Sequence, residues 1–369
     1  MSAPRLALPT RPRILVVALR RLGDVLLSTP LIRSLRRAWP EAHIDALVFA
    51  ETAGILDGNP DVDRVLTLPD RPSARASTAM ALRLLRRYDL AVSTQSGDRP
   101  TGYAILAARR SVGPVEPRLG GRIKGALLGR TVAADPRLHR VEAMLRIADA
   151  LGIPRVGEVV PPAGRLPELP SGPFAVVHAA PMFHYKRWTP DGWRALAGAL
   201  HARGLTVVAT GGPAPAERAY LDAVWQGLPV LRREGQLGWG ELATLLARAD
   251  IYIGPDTSVT HLAAAAGCPT VALYGPTDPR LWGPWPSAGL AEPWAASGTV
   301  QRRGNVWLVQ HAFPCTPCQL EGCERRLDSA SACLDALRPD EVLAAVEQAL
   351  AVDNVRPRAA ALDRQDGLR

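Results

Sequence analysis

The sequence predicts an α/β protein built as two Rossmann-like domains that face each other across a cleft. Three observations carry this expectation. Short apolar runs alternate with amphipathic stretches, as βαβ units assembling a parallel sheet require. A segment dense in proline and glycine interrupts the alternation near residues 154–172, and the alternation then restarts over a similar length. The expected division is residues 1–160 for the first domain, 161–351 for the second, and a flexible tail at 352–369.

In the first half the run "RILVVAL" reads as a strand, followed by a glycine turn and a helix across "TPLIRSLRRAW". "HIDALVFA" and "VDRVLTL" are the next strands, then a helix near "TAMALRLLRRY", the strand "YDLAVSTQ" and a closing helix "RVEAMLRIADALG". The linker "IPRVGEVVPPAGRLPELPSGP" lacks helical periodicity. In the second half, "FAVVHAAP", "TVVATGG", "DIYIGPDT" and "PTVALYG" are strands. Between them lie helical patterns at "DGWRALAGALHARG", "ERAYLDAVWQG", "ELATLLARA" and "SVTHLAAAAG", and "DEVLAAVEQAL" is a helix before the tail.

At 369 residues, 47% hydrophobic and 21% charged, the composition is that of a globular chain and excludes dominant disorder. No apolar run approaches the roughly 20 residues that span a bilayer, and "MSAPRLALPTRPR" lacks the apolar core of a secretory signal, so a cytoplasmic location is expected. The formal charge of +9 favours anionic partners such as phosphorylated substrates or acidic lipid head groups. Basic residues are not interleaved with aromatics as a nucleic-acid groove would require, so nucleic acid is not an expected partner.

Ligands of doubly wound sheets sit at the carboxyl ends of the strands, and three segments fall there. Asp256, Thr257 and Ser258 lie at or just before a helix N-terminus, where free N–H groups attract phosphate or sugar hydroxyls; they also fit ordinary caps. His261, one turn on, fits either a ligand contact or a packing residue. Lys186 follows the first strand of the second half, where a cation would neutralise a diphosphate, though a solvated loop lysine reads the same way. "TGGPAPAE", with Gly212 and Glu217, is a strand-end loop that lets backbone approach a nucleotide, or simply a tight turn. In the first half Asp24 occupies the position where a phosphate-binding turn would avoid a carboxylate.

The segments "RLGDVLLSTP", "KRW", "PDTSVTHLAAAAGCPTVALYGPTDP" and "CTPCQLEGC" occur in the same order as in the bacterial heptosyltransferases, glycosyltransferase family nine, which the chain resembles from about Arg13 to Leu350. The resemblance implies a GT-B fold, with the acceptor on the N-terminal half and ADP-heptose held mainly by the C-terminal half. It implies inverting transfer to the inner core of lipopolysaccharide, with no cofactor required for catalysis. Asp24 is then the base that deprotonates the acceptor hydroxyl, although it also fits an N-cap of the following helix. Lys186 is implied to stabilise the leaving diphosphate, Asp256 to bind heptose hydroxyls, and Thr257 and Ser258 to meet phosphate oxygens. His261 is implied to support that loop or touch the donor. Ser258 stands where relatives frequently have glycine, and a donor role for Glu217 is the weakest of the assignments. A lipid-linked acceptor and a basic surface imply peripheral contact with the anionic inner face of the inner membrane.

Cys315, Cys318, Cys323 and Cys333 form a C-x2-C-x4-C-x9-C spacing that fits reduced thiols or a reversible disulfide and is also compatible with a structural zinc. Cys268 reads as a small buried residue. Rival functions are transfer from another nucleotide sugar or to a protein acceptor, sugar-nucleotide epimerisation, and a binding module without catalysis.

Overall fold

The computed structural model describes residues 4–166 and 168–353, so most of the tail expected at 352–369 lies outside the described residues. Strands β1 (Arg13–Val17), β2 (His43–Phe49), β3 (Arg64–Leu68), β4 (Leu90–Ser93), β5 (Ser111–Val115) and β6 (Arg130–Ala133) form one parallel sheet in the order β3-β2-β1-β4-β5-β6. Helices α1 (Leu22–Leu26), α2 (Thr29–Ala38), α3 (Ala74–Leu84), α4 (Asp98–Ala107), α5 (Leu119–Leu127) and α6 (Arg140–Leu151) belong to this half.

The second sheet contains β7 (Phe174–His178), β8 (Thr206–Thr210), β9 (Val230–Arg232), β10 (Ile251–Pro255), β11 (Thr270–Tyr274), β12 (Val300–Arg303) and β13 (Val306–Gln310). Its order is β12-β13-β11-β10-β7-β8-β9, parallel except for the edge strand β12. Helices α7 (Pro190–Ala202), α8 (Pro215–Trp225), α9 (Trp239–Arg248), α10 (Ser258–Ala265), α11 (Pro279–Trp282), α12 (Ala332–Asp335) and α13 (Pro339–Asp353) complete it. The central strands are mostly apolar and buried on both faces, as a sheet covered by helices on each side demands.

In each sheet the strand order reverses beside the first strand, between β1 and β4 and between β7 and β10. That reversal opens the crevice in which doubly wound sheets hold ligands. The segments that leave β1, β7 and β10 carry Asp24, Lys186 and Asp256, so the topology itself brings the three toward one place.

One apolar cluster runs through both halves, joining Val25, Leu26 and Val48 to Leu245, Val259 and Leu262. The segment between α6 and β7 contains neither helix nor strand among the described residues, yet it is anchored on both sides. Thr29 Oγ1 accepts from Val160 N at 2.9 Å, while Trp285 Nε1 donates to the Gly157 carbonyl at 2.6 Å. Gly164 lies against Gly240 so closely that a Cβ on either would sit less than 3 Å from the other's backbone. The expected linker is thus a strap stitched to both domains.

His139 adds a further tie. Its Nδ1 accepts from Val141 N, which leaves Nε2 to donate to the Gly283 carbonyl of the other half at 2.8 Å. Burial pushes this imidazole down to about 4, and burial does the same to His178. The unfolded chain binds protons at both near pH 6.5, so between pH 6.5 and 4 it carries more protons than the folded chain and stability rises with pH. Stability from these two groups is complete above pH 6.5 and lost on acidification, on the order of 3 kcal/mol for each by pH 4. Urea midpoints are expected to fall between pH 6.5 and 5, above the carboxylate range, and His139→Gln should flatten that slope; an unchanged slope would deny His139 a neutral buried state.

Candidate active site

Asp24 is the third residue of α1, and the cap position belongs to Arg21, which makes no side-chain cap bond. The reading of Asp24 as an N-cap is therefore replaced. Its carboxylate, 8% exposed, pairs with Arg20 Nε at 3.2 Å and with Arg140 Nε at 3.1 Å. Arg20 comes from one turn before it. Arg140 opens α6 and also donates to the Thr94 carbonyl at 3.3 Å. Burial pushes the Arg140 guanidinium below its ordinary value, opposed by the Asp24 charge.

Opposite, Lys186 ends a 3-10 turn (His184–Lys186) after β7, and its Nζ donates to Asp256 Oδ2 at 2.5 Å. Asp256 also accepts from Thr277 Oγ1 at 2.7 Å. Burial pushes Asp256 upward, but the Lys186 charge, His261 and these hydrogen bonds outweigh it and hold the carboxyl below the usual range. Asp256 therefore remains charged at neutral pH inside a buried setting. Tyr274, buried beside that charge, is driven well above its ordinary value.

Thr257 caps α10, its hydroxyl accepting from Thr260 N, and Ser258 is the first residue of the helix. His261 lies buried one turn later with Nε2 4.0 Å from Asp256 Oδ1, and burial lowers its basicity although Asp256 opposes this. Helix α1 packs directly on α10. A Cβ on Gly23 would stand 3.4 Å from Ser258 Oγ and 3.7 Å from His261 Cδ2, so the two halves meet next to Asp24. Ser258, standing where relatives frequently have glycine, thus turns its hydroxyl toward the Gly23 backbone. Arg21 adds another link between the halves, its guanidinium 4.7 Å over the Phe183 ring.

Asp24, Lys186, Asp256, Thr257, Ser258 and His261 line a cleft of about 1410 Å³ between the halves, bounded also by Phe49, Glu51 and Trp282. The volume exceeds what a drug-sized ligand needs and admits a sugar nucleotide with part of an acceptor. Glu217 borders the cleft but turns back on its own loop, its Oε1 accepting from Gly212 N at 2.5 Å. The pair closes the loop before α8, and Gly212 serves it by leaving space: a Cβ there would sit 2.6 Å from Glu217 Oε2.

The cysteines lie elsewhere. Cys315 and Cys323 are exposed, Cys318 is half-buried and Cys333 is buried in α12. Among the described residues no three His, Cys, Asp or Glu side chains are disposed to hold one metal ion. Cys323 Sγ accepts from Ala332 N at 3.3 Å. Burial and the neighbouring Cys318 and Cys315 keep Cys333 as a thiol, with its value pushed up.

Three participants were not read from the sequence. Arg140 lies 116 positions after Asp24, beyond any local spacing rule. Arg20 was legible as the i, i+4 partner of Asp24. Thr277 stood within the quoted "PTDP" without a role.

Two facing Rossmann-like sheets, with a carboxylate on one lip of the cleft and a half-buried lysine paired to a buried carboxylate on the other, make a GT-B protein. Residues 164–291 match the family described as glycosyltransferase family 9 (heptosyltransferase). Over 311 residues the chain is 29% identical to lipopolysaccharide heptosyltransferase 3 of Escherichia coli, covering 74% of this chain and 86% of that one. Its fold matches a family 9 glycosyl transferase of Veillonella parvula with a TM-score of 0.73 at 17% identity, covering 92% and 97% of the two chains. It matches the E. coli heptosyltransferase WaaC solved with ADP with a TM-score of 0.71 at 22% identity, covering 91% and 99%. The chain carries a glycosyltransferase family 9 domain and is a glycosyltransferase.

Proposed function

We propose that this enzyme moves heptose from ADP-heptose to the inner core of lipopolysaccharide with inversion at the anomeric carbon. The observation that carries this reading is Asp24 and the Lys186–Asp256 pair on opposed walls of one cleft, where α1 rests on α10. The relatives' names supply the sugar and the acceptor, and the ADP of the E. coli neighbour supplies the nucleotide.

In this reading the acceptor hydroxyl approaches from the first half. Asp24 takes its proton while the oxygen bonds to the anomeric carbon and the bond from that carbon to the diphosphate oxygen breaks. The bonding electrons leave with the diphosphate, whose growing charge Lys186 meets. Asp256 holds sugar hydroxyls, and Thr257 and Ser258 offer donors to phosphate oxygens at the α10 N-terminus. Lys186 and Asp256 neutralise each other before the donor arrives, so a phosphate entering the site shares a cation already drawn to the spot. These groups supply the base and the countercharge without a metal or other cofactor, and the cysteine loop is proposed to carry reduced thiols. No described helix is long and apolar enough to cross a membrane, and the proposed station is peripheral, on the cytoplasmic face of the inner membrane.

Incubation with a panel of nucleotide sugars and a heptose-deficient lipopolysaccharide core, read by mass spectrometry, tests the substrate assignment. The expected result is a gain of one heptose with ADP-heptose alone. A gain from a different donor would overturn it, and conversion of donor without acceptor would mark an epimerase.

A further inference from the structure

Helix α5 is amphipathic in the wrong sense for a helix that only covers a sheet. Its apolar side chains at i, i+4 and i+8, Leu119, Ile123 and Leu127, are 73%, 57% and 62% exposed. What it turns inward is small: Gly121 is buried, and a Cβ there would stand within 3 Å of the Glu116 backbone. The three side chains form a ridge about 12 Å long along the helix axis. Beside it Arg122 is exposed, and so is Arg118, which pairs with Glu116 at 2.5 Å, while Lys124 is tied to Asp98 and to the Ser96 carbonyl, each at 2.6 Å.

The ridge stands close to the active site. Lys124 grips the loop after β4 at Ser96, and Arg140, the partner of Asp24, donates to Thr94 in the same loop. Leu119 begins α5 just beyond β5, at the carboxyl edge of the sheet that also presents Asp24.

We infer that α5 is the membrane-docking element of this enzyme, seating its leucine–isoleucine ridge among the acyl chains of an anionic phospholipid surface, with Arg118 and Arg122 at the head groups. An interfacial helix combines an exposed apolar stripe with cations at its margins, and arginines near an anionic surface each add attraction that salt screens. Three residues bury too little apolar surface for permanent anchoring, so docking is reversible. It holds the acceptor half of the cleft toward the bilayer and delivers a lipid-linked acceptor to Asp24. This last point rests on the proposed acceptor; the docking itself does not.

A second apolar group on the same domain, Leu82, Leu85 and Leu106 at the carboxyl-terminal ends of α3 and α4, is exposed beside Arg86. It lies toward the opposite edge of the sheet and serves as the internal control. The test is co-sedimentation of the full chain with vesicles of phosphatidylethanolamine and phosphatidylglycerol, and with pure phosphatidylcholine vesicles. Oligomeric state is followed by light scattering, and heptose transfer by a delipidated, water-soluble core acceptor.

Wild type is expected to partition at least tenfold more strongly onto the anionic vesicles and to lose that preference in 0.5 M salt, an ionic strength at which the Debye length falls to about 4 Å. Leu119→Ser, Ile123→Ser, Leu127→Ser combined should lower partitioning about tenfold and leave transfer to the soluble core within twofold. The matching triple change at Leu82, Leu85 and Leu106 should leave partitioning unchanged. Unaltered binding by the α5 variant, or a wild type indifferent to anionic vesicles, overturns the inference. So does an α5 variant that turns a dimer into a monomer, since a second copy would then cover the ridge. Ridge-dependent vesicle binding without heptose transfer would refute the proposed reaction and leave the docking intact; transfer with no vesicle binding would do the reverse.

Discussion

Asp24→Asn is expected to lower kcat/KM for heptose transfer about 10³-fold, within the 10²–10⁴-fold range of a positioned general base, with donor affinity nearly unchanged. The amide keeps the shape of the side chain but cannot accept the acceptor's proton. The proposed donor contacts lie on the other wall, at Lys186, Asp256 and α10, so the loss should fall on kcat and on acceptor handling. The substitution also leaves Arg140, buried and paired to Asp24 at 3.1 Å, without its counter-charge. Removing one partner of a buried ion pair costs about 3–5 kcal/mol where desolvation is complete; residual exposure and the Thr94 carbonyl soften it here. Melting temperature must therefore be read beside the rate. The additional change Arg140→Met relieves the stranded charge: if rate returned along with stability, Asp24 would be a structural partner of Arg140 and not the base.

Lys186→Met is expected to reduce kcat by 10²–10³-fold, the loss typical of removing one group that meets transition-state charge. It has a second effect, separable from the first. Asp256 owes its low value chiefly to Lys186, working against burial. Without the lysine, the carboxyl rises. A depressed carboxylate contributes stability that is present above its unfolded value and lost as pH falls through the folded one. The variant should therefore lose stability at neutral pH, and its acid unfolding should begin at higher pH. Pairing Lys186→Met with Asp256→Asn removes the stranded carboxylate. Thermal stability should then recover while turnover does not; recovery of both would reduce Lys186 to a counter-ion for Asp256.

Much of this architecture was legible because its cause is local. Strands such as "RILVV" and "TVALY" are apolar after their first residue, and the helices between them repeat their apolar residues at helical spacing. What was missed has physical reasons. β5 reads "SVGPV", with glycine and proline inside it, and β6 has only four residues, so neither carried a strand signal. α5 holds three glycines, each of which weakens an intrinsic helix by about 1 kcal/mol. The Arg140 contact depends on the packing of α6 against the first sheet, which no spacing announces. Glu217 shows the converse: its position beside a glycine loop invited a ligand role, yet its carboxylate closes that loop by taking the Gly212 amide.

Lys186 had a signal that composition alone could have supplied. The chain contains 42 arginines and only two lysines, Lys124 and Lys186. In a sequence so biased, a retained lysine marks a place where a compact ammonium is wanted in preference to a planar guanidinium. At Lys186 the confined space against Asp256 accounts for it, and at Lys124 the reach between Asp98 and Ser96 does.

Gly23 also sets how near the two lobes stand beside the base: a methyl there would reach to 3.4 Å from Ser258 Oγ and 3.7 Å from His261 Cδ2, and anything larger would prise the first short helix from α10. A bulkier residue at position 23 is therefore a way to widen the cleft next to Asp24 without touching a charged group.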